Sequence, residues 1–595
     1  MKIKINKNIL WTEAFSRELS EIGVKYACIS PGSRNTPLTL AFANNKKIKT
    51  FIHIDERSSG FFALGIAKAT GSPVVLVCTS GTATAEFYPA IIEAYQHRIP
   101  LIVCTADRPP ELRNRGANQT INQNNLYKNH IRWFFDVGLP KTDLKSITHI
   151  KSAAEKAVYN SCIKSRGPVH LNFPFRKPFE PDSYTDEISK SLNNFALTPL
   201  SSTEKVFAKK EKSISKQKWF TEVLNIVKKK RKGIIVAGPE NFTPQFAEYC
   251  QKLSLRLGYP VFADGASQLR FGSHDKQNII SNFEGFLRSK CFSDKYKPEI
   301  ILQFGRTITS KALDEYLNKC TAARYIVNDY GDCFDPSGKA KAALAYEPGL
   351  FCKSLLAAAD KYKVPAPDSD WTNKFIKAEE ISDKVRDKII SKAKFPAESC
   401  IPEEVLNIIP DGTKIMMSNS MPVRDFDYFA PKIRKEITVF NNRGASGIDG
   451  ITSTALGIAS SGNSPTVLIT GDLAFYYDLN GLLAAAKYSI PLVVILVNNN
   501  GGGIFEVLPI SDYGKTFKEF FITPHNLNFA AFVKAYNGSY YNAKNEAGFR
   551  KALKSAITAK KLTVIEIKTN AVKSLAIRRK FWAAVNSTLE QDKSL

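Results

Sequence analysis

The chain has 595 residues, of which 44% are hydrophobic and 23% charged, and a formal net charge of +27 at pH 7. That length exceeds what one hydrophobic core can organise and predicts several domains, and the balance of apolar and charged residues excludes a disordered or fibrous chain. No uninterrupted run reaches the ~18 apolar residues a membrane span needs, and Met1-Lys2-Ile3-Lys4 has none of the apolar core of a signal peptide, so a cytoplasmic location is expected.

The positive charge invites a nucleic-acid reading. It is spread along the chain, however, with runs such as Lys228–Lys232 flanking ordinary strand and helix patterns, and no zinc finger, RNP-like strand or basic coiled coil accompanies it. A solvated lysine-rich surface that concentrates small anionic substrates accounts for it better, and no nucleic-acid partner is expected. The ten cysteines stand singly, as in Val77-Cys78 and Val103-Cys104, without CxxC or Cys/His spacing. They read as reduced core residues.

In the first block, apolar runs at 26–30, 74–79, 101–107 and 169–172 alternate with helical patterns, which predicts a parallel α/β domain. The loop after the first run presents Ser33 and Arg34, the loop after the third presents Arg108, and Asn118 and Gln119 add amide donors shortly afterwards. One such arginine would be a surface ion-pair partner. Several on one sheet edge suit carboxylates, because the guanidinium fork matches two oxygens at once. At His53-Ile54-Asp55-Glu56 an extended segment turns into a helix rich in small residues, and either carboxylate could cap that helix.

From Pro181 to Gln217 the sequence turns polar, as expected of an interdomain connection. A second α/β block follows, with strands expected at 233–237, 261–263, 299–304 and 325–328, and it ends at the proline-containing segment 363–367. The predicted domains are therefore 1–185, 200–363 and 371–595.

The third block contains GDLAFYYDLNGLLAAAKYSIPLVVILVNNNGGG, residues 471–503. Asp472 closes an apolar strand at 466–470, an amphipathic segment covers 479–489, and a second strand at 492–497 ends in Asn498-Asn499-Asn500-Gly501. A right-handed crossover brings both strand ends to one edge of the sheet. A carboxylate and an amide oxygen there suit a hard cation such as Mg²⁺, and the glycines let backbone approach a diphosphate closely. Read blandly, the same residues are a βα turn and an Asn/Gly-rich loop. The segments 72–103 and 464–494 repeat one strand, turn, helix and strand pattern, with Pro-to-Pro intervals that differ by a single residue. No GxGxxG opens a helix, since 501–506 fails at its last position, and Gly331 and Gly338-Lys339 have the wrong separation for a P-loop.

Taken together, SPGSRNTPL, HIDERSSGFFALGIAKA, TSGTATAEFYPA, ADRPPEL, GANQ, NRGASGIDG and GDLAFYYDLNGLL with VNNNGGGIF closely resemble the 2-succinyl-5-enolpyruvyl-6-hydroxy-3-cyclohexene-1-carboxylate synthase family of thiamine-diphosphate enzymes. The resemblance implies three doubly wound parallel α/β domains, pyrimidine-binding, central and diphosphate-binding in chain order. It implies decarboxylation of 2-oxoglutarate and addition of the succinyl unit to isochorismate in menaquinone biosynthesis. The metal ligands, for Mg²⁺ or Mn²⁺, would be Asp472, Asn499 and the Gly501 carbonyl. Glu56 would be the acid that activates the cofactor's pyrimidine, and Ile448 the apolar wedge under its bent form. Asn419, Ser420 and Phe505 would touch the cofactor. Substrate contacts would come from Ser33, Arg34, Arg108, Asn118, Gln119, Lys311, Arg424, Arg443 and Leu508. Because first-block and third-block residues come from different chains in this superfamily, a homodimer or homotetramer is implied. Two departures stand out. Ala312 follows Lys311 where the family carries Arg, leaving a cationic contact absent or supplied by another residue such as Arg306, and Gly503 stands where relatives carry Gln. The nearest alternative is another enzyme of this cofactor class, an acetolactate synthase or 2-oxoacid decarboxylase, against which the arginine-rich loops argue, since small uncharged aldehydes need no such clamps.

Overall fold

The computed structural model describes residues 2–200, 217–393 and 395–595. It contains three six-stranded sheets, and every strand pair within them is parallel. The chain is α/β, as the alternation of apolar runs and helical patterns requires.

The first sheet runs Lys49–Ile52, Tyr26–Ile29, Val74–Cys78, Leu101–Asp107, Val169–Pro174, Phe134–Asp136 from edge to edge. The third runs Ile437–Asn441, Thr413–Met417, Thr466–Gly471, Val493–Asn498, Thr563–Lys568, Ser539–Asn542. Counted in chain order within each sheet, both read 2-1-3-4-6-5, so the likeness between segments 72–103 and 464–494 extends to whole domains. The middle sheet, Ile279–Ile280, Val261–Ala263, Gly233–Ala237, Ile300–Phe304, Ala323–Asn328, Ala342–Ala345, reads 3-2-1-4-5-6. Central strands such as Val74–Cys78 and Val493–Asn498 are buried at every position, as strands covered on both faces must be.

The expected connection from Pro181 is in part ordered structure. Asp186–Ser189 pairs antiparallel with Lys2–Ile5, and helix Lys190–Leu197 places Ala196 in the first domain's core. Its polar composition reflects half-exposed elements on a domain surface; residues 201–216 of that expected linker lie outside the described residues. The segment 363–367 does join two helices as a loop. The helix beyond it, Ser369–Lys392, packs with the C-terminal helix Ala571–Gln591 against the middle sheet, where Trp371, Phe375, Phe581 and Val585 share a core with Ile234, Val236 and Phe262. The third block thus covers one face of the second. Among the described residues no helix is long and apolar enough to cross a membrane.

First and third domains meet through two small-residue helices, Glu56–Thr70 and Ile451–Ser460. A Cβ on Gly65 would lie 2.1 Å from the Thr454 carbonyl oxygen, and one on Gly457 would lie 2.1 Å from that of Phe62. Only glycine allows this reciprocal approach. Phe61, Phe62, Ile66, Ile451, Ala455 and Ile458 form one continuous core across the junction.

Candidate active site

In the third domain the chain reverses its order across the sheet between strands Thr413–Met417 and Thr466–Gly471, and open α/β sheets bind ligands at that crevice. A cavity of about 380 Å³ lies there. It is lined by Asn419 and Ser420 from the first strand end, Asp472 from the second, and Asn499 and Gly501 from the neighbouring strand Val493–Asn498. Gly471 pairs with Val497, so the register sets Asp472 and Asn499 side by side. Arg424, Arg443, Ile448 and Phe505 complete the group of expected residues on its walls.

Asp472 is 2% exposed and begins the short helix Asp472–Tyr477 instead of closing the strand. Burial raises its pKa, against the Gly501 and Leu473 N–H groups that hydrogen-bond it at 3.0 and 2.7 Å. His525 Nε2 stands 3.3 Å from the same carboxylate. Asn499 donates from Nδ2 to Glu398 at 3.2 Å, which fixes the amide's orientation and turns Oδ1 the other way. That buried oxygen has no hydrogen-bond partner among the described residues. A buried carboxylate, an orphaned amide oxygen and a backbone carbonyl fit a hard cation with oxygen ligands. The glycines form a tight cradle. At Gly501, with φ of +144°, a Cβ would meet the Ile522 carbonyl at 2.0 Å, and at Gly503 it would meet Asn499 Nδ2 at 2.5 Å. The departure at Gly503 is thus matched to the packing of Asn499 in this chain.

The remaining expected residues fall elsewhere. Asp55 caps helix Glu56–Thr70, accepting from the Arg57 and Ser58 N–H groups, so the capping alternative belongs to it and not to Glu56. The Glu56 carboxylate has no side-chain hydrogen-bond partner among the described residues, and burial raises its pKa. Arg34 and Arg108 lie together at the first sheet's corresponding crevice. Burial, then the Arg108 charge, pushes Arg34 down to about 10. Arg34 donates to the Phe175 carbonyl at 2.7 Å, Arg108 donates to Ser80 Oγ, and Gln119 donates to the Ser80 carbonyl at 2.9 Å. Ser33 and Asn118 are exposed on the same loops. None of these first-domain residues, nor Glu56, lines the third-domain cavity within one chain. Lys311 does not line it either; its side chain is 78% exposed beside Glu315. Leu508 is half exposed just outside the cavity. Arg306 is buried between domains, donating to the Gln96 carbonyl at 2.7 Å, which gives no support to its standing in for the missing contact at Ala312.

Three family descriptions match in chain order: "Thiamine pyrophosphate enzyme, N-terminal TPP binding domain" over 11–126, "Middle domain of thiamine pyrophosphate" over 191–413, and "Thiamine pyrophosphate enzyme, C-terminal TPP binding domain" over 428–567. Over 581 residues the chain is 38% identical to 2-succinyl-5-enolpyruvyl-6-hydroxy-3-cyclohexene-1-carboxylate synthase of Bacillus cytotoxicus, which covers 96% of this chain and 95% of that protein. The chain belongs to this synthase family. The synthase of Haloarcula marismortui is 37% identical, with 99% of each chain covered. Among solved structures, benzoylformate decarboxylase from Polynucleobacter necessarius has the same fold, with a TM-score of 0.70 at 17% identity over 96% of this chain and 99% of that one.

Sequence reasoning missed the wall behind this synthase family's cavity. Glu398 accepts from Asn499, from Thr569 Oγ1 at 2.8 Å and from Arg578 at 2.6 Å, and Arg578 also grips Asp425 through two nitrogens. Glu398 and Asp425 both line the cavity. These residues sit alone in helical sequence, far from the strand-end motifs, and no local spacing marks them.

Proposed function

We propose that the third-domain cavity is the thiamine-diphosphate and metal half of a 2-succinyl-5-enolpyruvyl-6-hydroxy-3-cyclohexene-1-carboxylate synthase, acting on 2-oxoglutarate and isochorismate in menaquinone biosynthesis. The observation that carries this is the buried oxygen set of Asp472, Asn499 Oδ1 and the Gly501 carbonyl at the sheet's crevice. These residues would hold Mg²⁺ or Mn²⁺, while the glycine cradle and Ser420 meet the diphosphate. Asn419 and Phe505 would touch the cofactor, and Ile448 would support its bent form. When bound, thiamine diphosphate supplies the electron sink that makes 2-oxoacid decarboxylation accessible.

The chain's own groups position and charge the site. Glu56, its carboxyl raised chiefly by burial and without a side-chain hydrogen-bond partner among the described residues, would share its proton with the pyrimidine nitrogen. Arg34 and Arg108, with Ser33, Asn118 and Gln119, would hold substrate carboxylates from one side, and Arg424 and Arg443 from the other, aligning the reacting carbons. Leu508 would add an apolar contact, and Lys311 a cation from the middle domain. Since the first-domain group and the cavity lie apart within one chain, a second copy would bring its Glu56 and arginines to this cavity, giving two composite sites per dimer. Tyr513 and Phe520, each 67% exposed beside the pocket loops, are apolar surface such a partner would cover. By this reading domains one, two and three are the pyrimidine-binding, central and diphosphate-binding units. The described cysteines are all unbridged, which fits a reducing cytoplasm.

The deciding experiment supplies isochorismate, 2-oxoglutarate, thiamine diphosphate and Mg²⁺ and detects the adduct by mass. Acetolactate formation from pyruvate without that adduct would transfer the chain to another activity of the cofactor class.

A further inference from the structure

The loop 442–450 carries Arg443 and Ile448 into the cavity but belongs to no helix or strand. Its two ends are tied within the third domain: Asn419 Nδ2 donates to the Asn442 carbonyl at 2.8 Å and to that of Gly447 at 2.7 Å. Its middle is held from the first domain. Glu93, on helix Tyr88–Gln96, accepts from Gly444 N–H at 3.0 Å with one carboxylate oxygen and from Ala445 N–H at 2.6 Å with the other. The helix comes so close that a Cβ on Gly444 would lie 2.8 Å from the Glu93 carbonyl oxygen and 2.9 Å from its carboxylate.

Glu93 is only 3% exposed, so its charge needs a partner. Lys68 supplies it. Its ammonium stands 3.4 Å from Glu93, donates to the Asn441 carbonyl at 2.5 Å, and lies 2.9 Å from His97 Nδ1. The ion pair therefore holds both the loop and the strand end that leads into it: Glu93 accepts from the Gly444 and Ala445 N–H groups, and Lys68 donates to the Asn441 carbonyl. Arg443, by contrast, makes no hydrogen bond to the described residues that would fix its guanidinium, so its direction is set by the backbone beneath it.

We infer that Glu93, paired with Lys68, is a positioning residue of the first domain that sets the loop 442–450 and thereby aims Arg443 and Ile448 into the third domain's cavity of the same chain. The roles of those two residues rest on the functional reading above; the clamp itself rests on the contacts just given. Under the functional reading the first domain would serve a second copy's cavity through Glu56 and its own chain's cavity through Glu93.

Glu93→Gln removes the charge at nearly constant volume and can accept well from only one of the two N–H groups. In the full-length protein, hydrogen exchange at 443–446 is expected to accelerate about tenfold or more while strands of both sheets keep their protection. The KM for isochorismate is expected to rise about tenfold to a hundredfold, kcat to fall less, and calorimetric affinity for thiamine diphosphate with Mg²⁺ to weaken severalfold. Glu93→Asp keeps the ion pair but shortens its reach, and its exchange and KM should fall between wild type and Gln. If Glu93→Gln does not fold, the Asp variant carries the test with the same readouts. Unchanged exchange at 443–446 in a folded variant would overturn the clamp, and faster exchange with unchanged KM and cofactor affinity would overturn its positioning role. A wild-type protein that forms no adduct would instead sink the functional reading, and cofactor affinity alone would then judge the clamp.

Discussion

The first and third domains have the same strand order and present the same sheet edge, yet they dress it with different chemistry, and the third lines a cavity of about 380 Å³ there. At the third domain's crevice the loop residues are Asp, Asn and glycines, which turn oxygen atoms inward around buried space. At the first domain's crevice they are Ser33, Arg34 and Arg108, and the two half-buried guanidinium groups donate to the Phe175 carbonyl and to Ser80 Oγ of their own domain. One frame therefore supports two chemistries, and the loops at the strand ends decide which. Under the proposed function neither half would be a complete site: the third would supply oxygens for a cation, and the first would supply Glu56 and the arginines from a second copy.

The largest expected effect isolates the third-domain half. Asp472→Ala removes the only anionic ligand proposed for the cation, so Mg²⁺-dependent retention of thiamine diphosphate should be abolished while the first domain is untouched. Calorimetry with and without Mg²⁺ measures it, and an unchanged affinity would refute the assignment of the two halves.

Glu56→Gln tests the first-domain half at long range. The variant keeps size and hydrogen bonding but has no acidic proton to share, and Asp55 remains as helix cap. Turnover should fall by the ~10²–10⁴-fold typical of general acid–base groups, with metal-dependent cofactor binding largely retained. Proton–deuterium exchange at C2 of the bound cofactor reports the activation directly. Wild-type exchange would place the activator elsewhere.

What could be read in the sequence divides along the same line. Strand ends, turns and loops are local, so Asp472, Asn499, Gly501, Ser33 and Arg108 announce themselves through apolar runs that stop at Gly, Asp or Asn. The sheet order of the outer domains was foreshadowed by the matching segments at 72–103 and 464–494. Side chains with no local pattern stayed hidden: Glu93, Glu398 and Arg578 on helices and His525 on a loop acquire their roles only from residues tens to hundreds of positions away. The composition of 181–200 misled because short amphipathic elements at a domain rim are as polar as a linker.

Arg108→Ala and Arg424→Ala compare the two halves on equal terms, one arginine from each crevice. Both should leave cofactor binding intact and lower substrate specificity constants by about ten- to a hundredfold, the worth of one charge-assisted contact at ~1.5–3 kcal/mol. Steady-state kinetics with each substrate varied in turn would show which carboxylate each arginine holds. Normal specificity constants in both would reduce them to structural ion-pair residues.

The smallest effect is a difference in acid sensitivity between the two domains. In the first, His170 is fully buried beside Thr105 and Tyr127, and burial holds it down to about 3. His53 is held down to about 4, by burial and then by Lys487, with Asp55 opposing. An unfolded histidine takes up its proton below pH ~6.5, whereas these two do not until much lower. Unfolding the first domain therefore consumes protons, and its stability is lost as pH falls through the window from about 6.5 to 4, by about 2 kcal/mol per histidine at pH 5. Asp478 of the third domain runs the other way. Burial raises it to about 6, although Ser453 donates to it through both N–H and Oγ. Between pH 6 and the ordinary carboxylate range the folded state keeps a proton the unfolded state has lost, so acidification favours folding there, by about 1 kcal/mol at pH 5. Hydrogen exchange at pH 7 and pH 5, corrected for intrinsic rates, should show strand Val169–Pro174 losing protection before helix Ile451–Ser460 does. His170→Gln should narrow that gap. Equal losses in both elements would mean that the continuous core at Gly65 and Gly457 makes the two domains unfold as one unit, and that their different buried charges do not act separately.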